Sequence, residues 1–244
     1  RRIANVGDEL KLEDAVKIVG CWNGLGKHFA MADSTDASAD PQPMRTAIAF
    51  AQSIKHSKLL AKEFERISND LADQIEYLPE MRAGHVDGTM NVVERNQHLS
   101  WLKENANTED KLCRILTNAR CLSEGVDVPV LDAAIFLNPR DSVVDVVQSV
   151  GRVMRKDPAG RKKYGYVILP IGISLGTPPE KALDDNKKYK VVWQVLNALR
   201  AHDDRLDHRT QLEIAGAVGG FAALIEIYEE LYHRFWEAEY ERHS

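Results

Sequence analysis

Gln148, Gly151, Arg152 and Arg155 are spaced by three and four residues, so they share one face of any helix that carries them. Two guanidiniums on that face present rigid forks of N–H donors suited to phosphate oxygens. The glycine beside them removes the side chain that would keep another surface away. Val143, Val147, Val150 and Met154 mark the opposite side, which the apolar spacing assigns to the core. The competing reading is a last helical turn whose arginines stay in water and only complement the helix dipole.

A second polar stretch runs from Asn118 to Pro129 between two apolar segments. Gly125 can take a positive φ, Pro129 stops the turn, and Asp127 is an acceptor suited to sugar hydroxyls. Thr117 and Asn118, at the end of the preceding apolar run, carry side-chain donors for a phosphate backbone. An ordinary connection between strands explains the stretch equally well when it is taken alone.

Alternating short apolar runs and amphipathic segments must position these residues. Strands are predicted at Thr46 to Phe50, Ala83 to Val86, Cys113 to Thr117, Ala133 to Leu137 and Tyr164 to Ile171. Helices are predicted at Ser53 to Leu71, Val92 to Lys103 and Val143 to Met154, with a leading one between Glu9 and Phe29. Such alternation makes a parallel sheet with helices on both faces, an α/β fold. Ligands of open parallel sheets bind beyond the carboxyl ends of the strands, and both polar stretches follow strands. The polar run Ser34 to Pro43 reads as a linker. Glu180 to Ala201 and Gln211 to Tyr240 read as helices, and Trp193 among them as a packing residue. The organisation expected is a leading helical segment with linker over 1–43, an α/β domain over 44–176 and a helical extension over 177–244.

The 244 residues are 44% hydrophobic and 28% charged, with a formal net charge of -5. That balance belongs to a soluble globular protein and argues against a general coat for nucleic acid, though not against a local basic groove. Arg140 to Lys163 is such a basic stretch. Cys21, Cys113 and Cys121 form no paired zinc spacing, so no metal site is expected. With no run of about 18 apolar residues and no leader, the expected location is cytoplasmic, away from membranes. A chain opening on Arg1 is expected to be a piece of a longer polypeptide.

Taken together, Ser123-Glu124-Gly125-Val126-Asp127-Val128-Pro129 and the later Gln148-Ser149-Val150-Gly151-Arg152-Val153-Met154-Arg155 resemble motifs five and six of superfamily-two helicases. Arg45 to Ser53 resembles motif four, and His85-Val86-Asp87-Gly88-Thr89 with Arg95 resembles the segment between four and five. The resemblance spans roughly Arg45 to Ile171 and implies the second RecA-like domain of an ATP-driven nucleic-acid motor. It implies that Arg152 and Arg155 act as arginine fingers toward ATP, with Gln148 positioning nucleotide or water. Gly125, Asp127 and Gly151 would approach the nucleotide, and Ser53, Gly88, Thr89, Thr117 and Asn118 would hold the phosphodiester backbone.

The loop GxxxxGK[ST] is absent. Its nearest approach, Gly24-Leu25-Gly26-Lys27-His28, has Cys21 in place of the first glycine and His28 in place of the hydroxyl. ATP and Mg2+ are therefore expected to be bound mainly by a first motor lobe outside this chain, and the chain alone to be inactive. Val19 to Leu25 and Trp193 to Ala201 are similar to segments of single-chain type ISP restriction-modification motors. This implies duplex DNA as partner, with methyltransferase and nuclease modules elsewhere in the polypeptide. The alternatives are a strand-separating repair or RNA helicase lobe, and a non-catalytic α/β module that binds a protein partner.

Overall fold

The computed structural model describes residues 12–27, 42–71, 79–104, 112–119, 131–138, 142–153, 165–171 and 187–195. Its centre is a five-stranded, wholly parallel sheet with strand order β2-β3-β1-β4-β5. The strands are β1 (Thr46–Phe50), β2 (Glu80–Val86), β3 (Leu112–Asn118), β4 (Ala133–Phe136) and β5 (Tyr166–Ile168). The helices are α1 (Leu12–Leu25), α2 (Ile54–Leu71), α3 (Val92–Glu104) and α4 (Val143–Val153). The α/β architecture expected from the sequence is present.

Both faces of the central strands are apolar because both are covered. On one face Ala47, Ala49, Ile115 and Ile135 pack against Ile18, Trp22 and Leu25 of α1 and Leu60, Phe64 and Ile67 of α2. On the other, Ile48, Phe50, Leu116 and Phe136 pack against Leu99 and Leu102 of α3 and Val146 and Val150 of α4. Residues of alternate parity thus enter separate cores, as the two-residue period of a strand requires. The rings of Phe50 and Phe136 stack at 5.2 Å. Tyr189, Val192, Trp193 and Val195 join this second core. Trp193 is a packing residue, 7% exposed.

β2 is an edge strand and begins at Glu80, three residues before the predicted run. Its alternating exposure hid it from a search for continuous apolar residues. The outward N–H groups of Met81 and Ala83 donate to Ser68 Oγ at 2.9 Å and Glu65 Oε1 at 3.0 Å, so α2 side chains satisfy the edge. At the amino end of the sheet, Asp132 Oδ2 accepts the N–H groups of Arg45 at 2.8 Å and Thr46 at 3.0 Å. That carboxylate is a staple between β1 and β4.

The apolar phase of α4 differs from the sequence expectation. Val146 and Val150 are fully buried, whereas Val143, Val144 and Val147 are 54%, 63% and 41% exposed. Val143, Val144, Val147 and Gly151 share the outward face of the helix, while Val146, Ser149 and Val150 share the face turned to the core. The helix is therefore rotated relative to the expected phase.

Candidate functional site

The helices α2, α3 and α4 all start at the carboxyl rim of the sheet, and each start is capped by a polar residue. Ser53 Oγ accepts the N–H of His56 at 3.1 Å, and Ser142 Oγ accepts that of Asp145 at 3.2 Å. Asn91 and Glu94 form a reciprocal box, with Asn91 Oδ1 accepting from Glu94 N–H at 2.9 Å and Glu94 Oε2 from Asn91 N–H at 3.2 Å. Ser53 uses only an oxygen lone pair in its cap and is exposed, so its O–H can donate outward.

Between the starts of α2 and α3 lies a buried polar cluster. The sheet register sets His85 of β2 beside Thr117 of β3, and both carry the parity that faces α2. The first turn of α2 lays Ser57 over them. Ser57 Oγ lies 2.7 Å from His85 Nδ1 and 2.9 Å from Thr117 Oγ1. His85 Nε2 lies 2.8 Å from Asp87 Oδ2. Asp87 Oδ1 accepts both the backbone N–H of Thr89, at 2.8 Å, and its hydroxyl. Lys58 Nζ stands 3.6 Å from Asp87 Oδ2.

These donors hold the Asp87 carboxyl well below the usual carboxylate range, the Thr89 hydroxyl contributing most, then His85. Burial pulls His85 below its ordinary imidazole value, and Asp87 opposes that shift. The serine, histidine and aspartate have the composition of a hydrolytic triad but not its access. Ser57 is fully buried, so no carbonyl substrate can reach its Oγ.

The predicted site residues divide accordingly. Ser53, Gly88 and Thr89 are exposed at the rim. Thr89, however, spends its N–H and hydroxyl hydrogen on Asp87, which leaves the exposed Gly88 backbone and the Ser53 hydroxyl as outward donors. Thr117 is fully buried and its hydroxyl points to the carbonyls of Ser57 and Gly84, at 2.9 and 3.2 Å. A donor for phosphate at Thr117 is therefore corrected to an internal pin. Asn118 is also buried, with Nδ2 donating to the Ala49 carbonyl.

On α4, Gln148 and Gly151 are exposed, and a methyl group added at Gly151 would meet nothing within 4 Å. Arg152 lies in the last turn and is only 8% exposed. The expectation of an outward guanidinium is corrected at Arg152, which is buried although it neighbours exposed Gln148 one turn earlier. Gly125, Asp127 and Arg155 lie outside the described residues.

Gly24 to Lys27 ends a helix instead of opening one. Gly26 and Lys27 donate N–H bonds back to Trp22 and Gly24, at 2.9 and 3.0 Å, and Lys27 takes the left-handed conformation with φ 58. A phosphate loop needs the opposite polarity, with free N–H groups at a helix start. Cys21 and Cys113 are buried, and burial pushes both thiols up, which makes them inert.

Sequence reasoning missed Ser57 and the joint role of His85 and Thr117. The usable signal was parity: both polar residues occupy inward positions of strands that are otherwise apolar there.

Comparison with known proteins agrees with this layout. The model of the helicase conserved C-terminal domain matches residues 36–157, half of the chain, and includes both motif-bearing stretches. A probable helicase of African swine fever virus, from a Kenyan pig isolate, is 31% identical over 121 residues, 46% of this chain and 13% of that protein. Its counterpart from a Malawian tick isolate is 38% identical over 91 residues, 37% of this chain and 10% of that protein. Among solved structures, the ATP-dependent type ISP restriction-modification enzyme LlaBIII bound to DNA is similar with a TM-score of 0.65 and 39% identity, over 87% of this chain and 14% of that one. The chain thus spans a small part of these relatives. With a parallel sheet of this order and a family match across half its length, the chain belongs to the helicase conserved C-terminal domain family.

Proposed function

We propose that the chain is the second motor lobe of an ATP-dependent DNA translocase. The observation that carries this reading is a family match that includes the motif-five and motif-six stretches in order, on a chain whose parallel sheet offers a carboxyl rim of the kind that binds ligands. Exposed Ser53, Gly88 and Thr89 line the nucleic-acid side, and the open face of α4 at Gln148 and Gly151 receives the other lobe. Backbone contacts of this kind grip phosphates without reading sequence.

Arg155 is the finger that reaches the γ-phosphate, and Arg152, buried in the last turn of α4, supports it. Gln148 orients nucleotide or water, while Gly125 and Asp127 approach the ribose. ATP supplies the phosphoryl group and Mg2+ neutralises charge on it when both are bound. The rim fits phosphate and ribose oxygens through hydroxyl, amide and guanidinium donors. It is poorly suited to holding the metal, because both oxygens of Asp87 are already engaged. Mg2+ therefore belongs to a first lobe in the same polypeptide.

The residues at 187–195 begin a helical coupler to further modules, methyltransferase and nuclease among them, within a division at 1–43, 44–176 and 177–244. Tyr189 O–H donates to the Leu137 carbonyl at 3.3 Å, which ties this segment to the end of β4.

The test is DNA-stimulated ATPase of the intact protein carrying Arg155→Ala. Loss of turnover with an unchanged circular dichroism spectrum supports the finger, and retained turnover rejects it. The 244-residue chain alone should hydrolyse no ATP. Strand displacement on a forked substrate by the intact protein would replace translocase with strand-separating helicase.

A further inference from the structure

The hydrogens of the buried cluster can be arranged in two complete ways. Asp87 stays ionised in both, accepting Nε2–H of His85. If His85 is neutral, Nδ1 is an acceptor and takes the Ser57 hydroxyl hydrogen, so Thr117 must donate to Ser57 Oγ to fill their 2.9 Å contact. If His85 is charged, Nδ1–H donates to Ser57 Oγ, Ser57 donates to Thr117 Oγ1, and Thr117 donates to the carbonyls of Ser57 and Gly84. One added proton therefore reverses two hydroxyls and adds a bond that joins α2, β2 and β3.

We propose that Ser57, His85 and Thr117 form a proton-reversible relay, in which His85 is a positioning residue that couples proton uptake to the grip of the rim on a nucleic-acid backbone. The coupling rests on the reading of the rim given above. Phosphates approaching exposed Gly88 and Thr89 bring negative charge near His85 and favour its charged state. By linkage, the charged state then favours binding.

The charged and titratable groups facing His85 are Asp87 just past the end of its own strand, Lys58 from α2 and His98 from α3; the neighbouring Thr117 of β3 is uncharged. Asp87 favours the imidazolium, whereas Lys58, His98 and burial oppose it. That opposition keeps the ring neutral at neutral pH, so the proton is taken up on acidification or on binding.

Ring 15N shifts of His85 in the 244-residue chain test the relay without DNA. The expected result is a neutral Nε2–H tautomer at pH 7.5 that becomes imidazolium on acidification. Thr117→Val keeps the packing but removes one bond from the neutral arrangement, Thr117 to Ser57 Oγ, and two from the charged one, Ser57 to Thr117 and Thr117 to the carbonyls, so it should move the titration midpoint down by roughly 0.5–1 on the pH scale. A neutral Nδ1–H tautomer, or an unchanged midpoint in Thr117→Val, overturns the relay.

Binding of a fluorescent DNA duplex to the intact protein between pH 5.5 and 8 tests the coupling. Affinity should rise on acidification by roughly threefold to tenfold, the ratio by which bound phosphate strengthens proton uptake at His85. His85→Gln, which can still donate to Asp87, should flatten that rise, and equal pH dependence in both proteins overturns the coupling. If His85→Gln fails to fold, Thr117→Val serves for the same comparison. No binding at any pH overturns the reading of the rim, and the ring shifts still decide the relay.

Discussion

The two halves of the sheet's carboxyl rim solve opposite problems. Around β2 and β3, polar groups are drawn inside and satisfied by one another: Ser57, His85, Asp87 and Thr117 are all buried. Around α4, apolar groups are left outside: Val143, Val144 and Val147 are exposed beside Gln148 and an unobstructed Gly151. The first half is a finished piece of architecture that holds exposed loops in place. The second leaves apolar surface that water alone does not reward. Under the proposed function, the first half pins the loops that grip a nucleic-acid backbone and the second receives another lobe.

The largest test of the contrast is on the α4 side. Arg155→Ala in the intact protein should lower DNA-stimulated ATPase by about a thousandfold or more, without moving the thermal midpoint. Gly151→Trp should also depress ATPase while leaving the chain folded, since nothing lies within 4 Å of the added side chain's first atom. Loss of folding in that variant would mean the α4 face is closed.

The next largest belongs to the β2 side. Asp87→Ala leaves His85 and the Thr89 donors without their acceptor and should cost about 2–4 kcal/mol in urea unfolding. A cost near zero would make the cluster incidental.

A third test is pH. Asp87 and His85 are both held below their ordinary values, so the folded state binds fewer protons than the unfolded one. Their stabilisation is present at neutral pH. It starts to be lost below the ordinary imidazole value of about 6.5 and falls further below the carboxylate value of about 3.9. The thermal midpoint should fall across that window, and in Asp87→Asn the part of the fall below the carboxylate value should be smaller.

The smallest effects separate the halves most cleanly. Val144→Ser should change stability by no more than about 0.5 kcal/mol, because the side chain is exposed. Gly151→Ala should stabilise α4 by about 0.5–1 kcal/mol, as judged by the midpoint of urea unfolding.

Much of this was legible in the amino-acid order. Apolar runs at Thr46 to Phe50 and Ala133 to Leu137 read as buried strands, and polar stretches after strands marked the rim. Spacing alone put Gln148 and Gly151 on one side of a helix. The same spacing misassigned Val143 and Val147, because a 3.6-residue period sets which residues share a face but not which of two valine-bearing faces turns to the core. It also set Arg152 outward with Gln148 and Gly151, whereas packing buries it.

What the residues determined by themselves, then, was the α/β class, the order of the elements and the motif-bearing segments, all of which depend on local period and neighbouring residue types. Tertiary structure decided which polar residues face solvent and which face each other. Ser57, His85 and Thr117 are separated by 28 and 60 residues from the serine outward. They meet only because strand register sets two of them side by side and α2 closes over both, a relation among distant segments that no local pattern encodes.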